Sequence, residues 1–170
     1  MNWSDQVMEM TEKYSVHNYD RLPLVVSRGK GVWVWDLEGK RYIDMLCTYG
    51  ANSLGHNHPR IVSVIVEYLK NNSVTSMSGG FYSVPYAKLV KALAEFSGFE
   101  KVILKTGGSE AFEAALKISK RWGYRVKGIS ERENAEIIGC VDNFHGRLPN
   151  AIGLSTEPKY KMGFGPFPAG

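Results

Sequence analysis

The sequence predicts an α/β fold, and three observations carry this prediction. Residues 102–104 and 136–141 are short, mostly apolar runs with the length of strands buried in a parallel sheet. Each run leads into a polar loop that contains glycine. Between residues 112 and 122, after the first loop, apolar residues recur at helical spacing. Both loops are therefore expected to open at the carboxyl edge of one sheet, where open α/β sheets bind ligands.

The chain before these runs predicts a helix and then a β-hairpin. Residues 1–13 have the composition of a short acidic helix, unlike a transit peptide or a secretory signal. Residues 32–35 alternate between two faces, and residues 41–45 return after a glycine turn. Trp33 and Trp35 share one face, and we interpret them as a packing stripe; the alternative is a ligand platform.

Three more helices follow from apolar periodicity and from end signals. Residues 59–71 begin at a proline and carry apolar side chains on one face. Residues 83–97 begin at a serine that can cap the helix, and Gly98 ends it. Ser109 is the predicted cap of the third helix, which contains the periodic residues after the first loop.

Composition excludes several classes of function. The 170 residues are 44% hydrophobic and 22% charged, a normal globular balance. The net charge of +4 is mild and the 21 basic residues are spread out, so neither nucleic acid nor a membrane surface is an expected partner. No apolar run approaches the roughly 20 residues that span a bilayer. Cys47 and Cys140 are far apart, as expected of free thiols in the cytoplasm.

The turn Gly107-Gly108-Ser109 is a candidate phosphate site. The glycines let a ligand approach the backbone, and the first amides of a helix attract anions. The alternative is a structural turn that connects a strand to a helix without binding a ligand, because the turn matches neither the Walker motif nor the dinucleotide fingerprint.

The second loop presents Phe144, His145 and Arg147 within four residues. Phe144 can lie on a planar ring, or it can be a core residue; Arg147 can hold a carboxylate through two hydrogen bonds.

His56 and His58 share a face of an extended segment, but a third ligand with suitable spacing is missing. No metal site is predicted.

Several motifs occur in the order seen in one enzyme family. They are residues 17–20, 28–32, 55–59, 106–117, 121–127, 143–147 and 163–167. From about residue 17 to its end, the chain resembles the class III pyridoxal-phosphate-dependent aminotransferases, and within them the ornithine-using enzymes. The resemblance implies the fold of the type I, aspartate-aminotransferase-like transferases, with an incomplete large domain at 51–170. A helix and hairpin at 1–50 would belong to the small-domain side.

The resemblance also assigns roles to residues of the cofactor site. It implies that the backbone N–H groups of Gly108 and Ser109 hold the phosphate and that Phe144 stacks on the pyridine ring. His145 would border that ring. Phe112 stands where relatives often carry a small or polar residue, so contacts at the start of this helix are expected to differ.

Three further residues would face the substrate by the same resemblance. Arg147 would take the substrate carboxylate, helped by Tyr49, and Tyr82 would lie at the site entrance near the boundary of a homodimer. A buried structural tyrosine is the alternative for Tyr49, and an exposed loop aromatic is the alternative for Tyr82.

The implied activity transfers the side-chain amino group of ornithine to a 2-oxo acid through pyridoxal phosphate. Enzymes of the family are more than twice as long, so the chain is expected to be the amino-terminal part of one. None of its lysines matches the family's Schiff-base lysine, so this chain alone is predicted not to transaminate. The alternatives are an acetylornithine or other class III ω-aminotransferase, a non-catalytic binding or assembly module, and an unrelated nucleotide-phosphate binder.

Overall fold

The computed structural model describes residues 2–71, 73–133 and 135–167. The chain divides into two compact units, Met1–Met77 and Ser78–Gly170, which are described separately. The domain boundary predicted after residue 50 stays a prediction. Within the described residues, no helix has the length and apolar character needed to cross a membrane.

The order of elements confirms most of the sequence prediction. In chain order they are α1 (Trp3–Tyr14), β1 (Val26–Lys30), β2 (Trp33–Asp36), β3 (Arg41–Ile43), α2 (Pro59–Lys70), α3 (Val84–Ser97), α4 (Gly108–Arg125), α5 (Pro149–Gly153) and α6 (Pro158–Lys161). The first helix, the hairpin and the helices α2 and α3 are where the patterns predicted them. Gly98 ends α3 in the left-handed conformation, as expected of a glycine after a helix.

The first unit contains a three-stranded antiparallel sheet in the order β1-β2-β3. The predicted hairpin is β2 and β3, in which Trp33 is opposite Ile43. The sequence did not predict β1, which pairs with the other side of β2 and has a register shift between Val26 and Arg28. Its sequence, Val-Ser-Arg-Gly-Lys, lacks the alternation of apolar and polar residues by which a strand is recognised.

The two faces of β2 differ in what they bury. Trp33 and Trp35 share a half-buried face, where the guanidinium carbon of Arg41 lies 4.0 Å from the Trp33 ring centroid and that of Arg28 lies 4.4 Å from the Trp35 ring centroid. Cations over aromatic faces are attracted by the ring quadrupole. The interpretation of the two tryptophans as a packing stripe therefore fits the structure, with arginines as the packing partners.

The other face of β2 buries the carboxylate of Asp36. It accepts hydrogen bonds from the Tyr42 hydroxyl at 2.8 Å and from the Lys40 amide at 2.7 Å. Burial alone would raise the pKa of Asp36, but these hydrogen bonds outweigh it and lower the pKa. The hydrogen bond between Tyr42 and Asp36 also raises the pKa of Tyr42, since it favours the protonated phenol.

His56 fastens the segment before α2 to the sheet. Its backbone exchanges two hydrogen bonds of 2.8 Å with Gly31, and its Nε2 lies 2.9 Å from the Asp44 carboxylate. A Cβ on Gly29 would lie 2.6 Å from the His56 ring, so only glycine fits there. His56 is thus engaged by a carboxylate and by backbone, and the described residues contain no group of three or more potential metal ligands.

The second unit is built around α4. Leu116 of α4 and Ala151 of α5 are buried, and the two helices pack together. The Glu113 carboxylate accepts hydrogen bonds from the backbone N–H groups of Asn150 at 3.0 Å and Ala151 at 3.2 Å, and from the Asn150 side chain. Glu113 therefore satisfies the first amides of α5, which otherwise lack partners.

The predicted strands at 102–104 and 136–141 are not strands in this structure. Neither segment belongs to a strand ladder within the described residues. Val102 and Leu104 are half-buried while Ile103 is 54% exposed, which is the alternation that a strand produces. A strand is defined by hydrogen bonds to a neighbour, and apolar sequence alone does not provide that neighbour.

We expect the stability of the first unit to fall in acid because of Asp44. The hydrogen bond from the Cys47 amide, followed by that from His56, lowers the pKa of Asp44. A lowered folded-state pKa contributes stability above the ordinary value of 3.8, and this contribution is lost as the pH falls through the folded-state value. Asp44→Asn should therefore be less stable at pH 7, and its stability should fall less steeply as the pH drops below 3.8.

Urea titrations followed by the amide resonances of β2 and β3 would measure this effect. Asp20→Asn is the matched control, because Asp20 is an exposed aspartate of the same unit. Equal acid sensitivity of Asp44→Asn and the unsubstituted chain would contradict the assignment.

Candidate functional site

The candidate site begins at the amino-terminal end of α4. Gly107 is the N-cap, and its amide donates to the Glu110 carboxylate at 3.2 Å. The prediction that Ser109 caps this helix is therefore wrong: Ser109 is the second helical residue. The cap position needs an extended backbone, which Gly107 adopts, and Glu110 reaches back to it. By helix geometry, the amides of Gly108, Ser109 and Glu110 are those at the helix mouth.

The Ser109 side chain instead meets the second loop. Its hydroxyl oxygen accepts a hydrogen bond of 3.3 Å from the Arg147 amide. Gly146 has a φ of +120°, and a Cβ built on it would lie 1.8 Å from Ser109 Oγ and 2.9 Å from Ser109 Cα. The two loops are therefore adjacent, as expected from their common position after apolar runs, and their contact requires a residue without a side chain.

Two open clefts flank this contact. One, of about 420 Å³, is lined by Gly108, Ser109, Phe112, Phe144, His145 and Gly146. The other, of about 500 Å³, is lined by Thr106, Gly107, Gly108, Ser109, Glu110, Arg147 and Leu148. Gly108 and Ser109 line both clefts. The amino-terminal end of α4 thus lies between a cleft with aromatic residues and a cleft with Arg147.

The aromatic residues of the second loop are each held by another ring. The His145 ring stacks on Phe112 with centroids 4.1 Å apart and an interplanar angle of 9°. The Phe144 ring meets Tyr160 edge to face at 5.9 Å and 71°, and Phe144 remains 61% exposed. The sequence did not identify Phe112 or Tyr160 as part of this cluster. The signal for Phe112 was its position four residues after Gly108, on the same face of the helix.

The base of the second loop is fixed by hydrogen bonds to the chain after α5. The Asn143 side-chain amide donates to the carbonyls of Cys140 and Leu154, the latter at 2.9 Å. The Asp142 amide donates to the Thr156 hydroxyl at 2.9 Å, while Asp142 has a left-handed φ of 56°. These contacts and the Glu113 bonds to α5 hold both ends of residues 143–148.

The two predicted tyrosines belong to different units, and Tyr82 of the second unit lines neither cleft. Tyr82 is fully exposed in the second unit, as expected of a loop aromatic. Tyr49 belongs to the first unit, where it is 86% exposed. The described residues therefore do not bury Tyr49. The substrate-facing roles of both residues stay predictions.

The backbone around Tyr49 has an unusual conformation. Cys47, Thr48 and Tyr49 have φ values of 47°, 51° and 54°, so three consecutive residues other than glycine are left-handed. The turn is held by the Tyr49 amide, which donates to the Leu46 carbonyl at 2.9 Å. The Asp44 carboxylate also accepts hydrogen bonds of 3.0 Å from the amides of Leu46 and Cys47.

Comparison with known proteins gives a consistent set of relatives. The sequence profile of the family described as aminotransferase class-III matches residues 14–170. The ornithine aminotransferase of Brevibacillus brevis is 42% identical over 170 residues, which are 100% of this chain and 42% of that protein. The chain thus spans about two fifths of the length of the curated relatives it matches.

Solved structures give the same picture. The ornithine aminotransferase from Toxoplasma gondii matches with a TM-score of 0.93 and 33% identity, over 100% of this chain and 39% of that one. The acetylornithine aminotransferase from Elizabethkingia anophelis matches with a TM-score of 0.71 and 40% identity, over 77% of this chain and 34% of that one. These relatives confirm the fold class predicted from the sequence.

We expect Gly146→Ala to destabilise the second unit by roughly 2–4 kcal/mol, because the new Cβ overlaps Ser109 and a left-handed φ disfavours it. Urea unfolding would measure this loss. Gly163→Ala is the matched control: Gly163 also has a positive φ, of +80°, but its Cβ would meet nothing within 4 Å. Ser109→Gly should partly restore the Gly146→Ala variant, and equal losses in the two alanine variants would contradict the role of the contact.

Proposed function

Because the chain belongs to the class III aminotransferase family, we propose that it forms the cofactor-binding segment of an ornithine aminotransferase. The family uses pyridoxal phosphate, and a similar enzyme from Toxoplasma gondii is described with this cofactor at its active site. The observation that carries the proposal is the contact of Gly146 with Ser109, since it joins a helix mouth to a loop with two aromatic rings. Phosphate and heterocycle need these two features side by side.

The residues at the helix mouth fit the phosphate group. The amides of Gly108 and Ser109 are donors at the positive end of α4, a helix of 18 residues. Gly107 and Gly108 have no Cβ to obstruct a ligand, and space around both is open. The Glu110 carboxylate accepts a hydrogen bond from the Gly107 amide, and this capping interaction holds the Glu110 side chain in place.

The aromatic side fits the heterocycle. Phe144 and His145 line the same cleft as Gly108 and Ser109, so a ring attached to the bound phosphate would meet them. We propose that Phe144 stacks on this ring and that His145 borders it. When bound, pyridoxal phosphate would act as the electron sink for the carbanion that forms at the carbon bearing the transferred amino group.

Arg147 is the proposed carboxylate-binding residue. Its amide is fixed by Ser109, and a guanidinium can bind a carboxylate through two parallel hydrogen bonds. Tyr49 and Tyr82 are proposed to contact the substrate as well, and both phenols are exposed. The substrates would be ornithine and a 2-oxo acid, with transfer of the side-chain amine.

A homodimer in the cytoplasm belongs to the same proposal. Cys47 and Cys140 are free, as in a reducing compartment.

The second candidate is an acetylornithine aminotransferase, since the enzyme from Elizabethkingia anophelis is among the similar structures. Turnover of ornithine against acetylornithine by the enzyme that contains this chain would distinguish the two.

Replacing Gly108 by proline tests the phosphate site directly. Proline is tolerated in the first helical position but has no N–H, and Gly107 already has the extended backbone that precedes proline. Loss of a hydrogen bond to a charged group should weaken pyridoxal phosphate binding roughly 10- to 100-fold. The affinity would be measured by titration of the cofactor absorbance.

Gly108→Ala is the control for this variant, because it keeps the amide and its Cβ meets nothing within 4 Å. It should bind more tightly than the proline variant, because it keeps the amide donor. Equal affinity of the proline and alanine variants, or no competition by inorganic phosphate, would contradict the proposed site.

A further inference from the structure

We infer that Phe112 is a positioning residue for the cofactor ring: it holds the His145 imidazole against α4, so that His145 is a fixed wall of the aromatic cleft. The inference rests on the proposed function and concerns how the ring, rather than the phosphate, is recognised.

The geometry of the Phe112–His145 pair is that of a stack. The ring planes are nearly parallel, at 9°, and the centroids are 4.1 Å apart. Both residues are half-buried and both line the cleft of about 420 Å³. Stacked rings attract each other beyond the apolar area that they bury. The stack therefore favours one orientation of the imidazole.

The position of Phe112 in the helix explains why this restriction concerns the cofactor. Phe112 follows Gly108 by one turn and lies on the same face of α4. His145 is thereby attached to the helix whose first amides are the phosphate donors. The imidazole that borders the ring and the amides that hold the phosphate are therefore positioned by the same helix. Their separation is set before a ligand binds.

The neighbouring aromatic residue is held differently. Phe144 contacts Tyr160, one of the residues of α6, edge to face. The Phe144 ring is thus held by α6 and the His145 ring by α4. Gly146, with a φ of +120°, follows these two residues. Ordering a side chain before binding reduces the entropy that binding would otherwise lose. Phe112 provides this ordering for His145 alone.

The test compares ligands that share one part of the cofactor. Phe112→Leu removes the ring and keeps an apolar side chain, and Phe112→Tyr keeps the ring. We expect Phe112→Leu to bind pyridoxal phosphate and pyridoxal roughly two- to tenfold more weakly, and inorganic phosphate unchanged. Phe112→Tyr should bind all three nearly as the unsubstituted chain does. Phe96→Leu, which removes a ring that is 91% exposed on α3, is the matched control.

A spectroscopic measurement on the ligand-free chain follows the stack itself. The ring protons of His145 should show nuclear Overhauser contacts to Phe112 and a ring-current shift, both lost in Phe112→Leu and retained in Phe112→Tyr. In a His145→Ala background, Phe112→Leu should have no further effect on pyridoxal phosphate affinity. A purely structural role of Phe112 would instead lower the affinity in both backgrounds.

The outcomes separate this inference from the proposed function. If the unsubstituted chain binds pyridoxal phosphate and Phe112→Leu binds it equally well, the inference alone is overturned. The same holds if phosphate affinity falls as much as cofactor affinity, or if the loss persists without His145. If the unsubstituted chain does not bind pyridoxal phosphate at all, the proposed function is overturned and this inference with it.

Discussion

The close approach of Gly146 to Ser109 is the constraint on which the site depends. Any side chain at residue 146 would overlap the serine, so this loop can lie on the helix mouth only with glycine there. Because the loops touch, the hydroxyl of Ser109 is available to the Arg147 amide, and the phenylalanine and histidine before Gly146 face the same cleft as the helix amides. The first amides of a helix bind anions in many proteins, and here the adjacent loop adds the aromatic side chains that the proposed cofactor ring would need.

Both units use the same physical device at a loop. In the first unit Gly29 leaves room for the His56 ring, which then reaches Asp44. In the second unit Glu113 and Asn143 hold the two ends of the aromatic loop by hydrogen bonds to backbone groups. In both units a glycine permits a close approach of a loop to its neighbour. In the second unit, side chains supply hydrogen bonds that the loop backbone would otherwise lack.

The sequence predicted what depends on local pattern and missed what depends on distant partners. Helices α2 and α3 follow from apolar periodicity and end signals, and the hairpin β2–β3 follows from alternation. The strand β1 escaped because its residues are polar, and the cap was assigned to Ser109 because serine is a common cap, although Glu110 favours Gly107. The pair Phe112–His145 joins residues 33 positions apart and leaves no trace in local periodicity. The adjacency of the two loops was predicted from the apolar runs that precede them, although neither run forms a strand here, and the contact that fixes it was not predicted.

The mirror-image turn at residues 47–49 has a consequence of its own. A side chain in this conformation costs roughly 1–3 kcal/mol per residue, and the β-branched Thr48 is among the residue types least suited to it. The hydrogen bonds from the amides of Leu46 and Cys47 to the Asp44 carboxylate offset this strain. Protonating that carboxylate would weaken these bonds and destabilise the turn that carries Tyr49. The presentation of one aromatic ring is thereby linked to the charge of an aspartate several residues upstream.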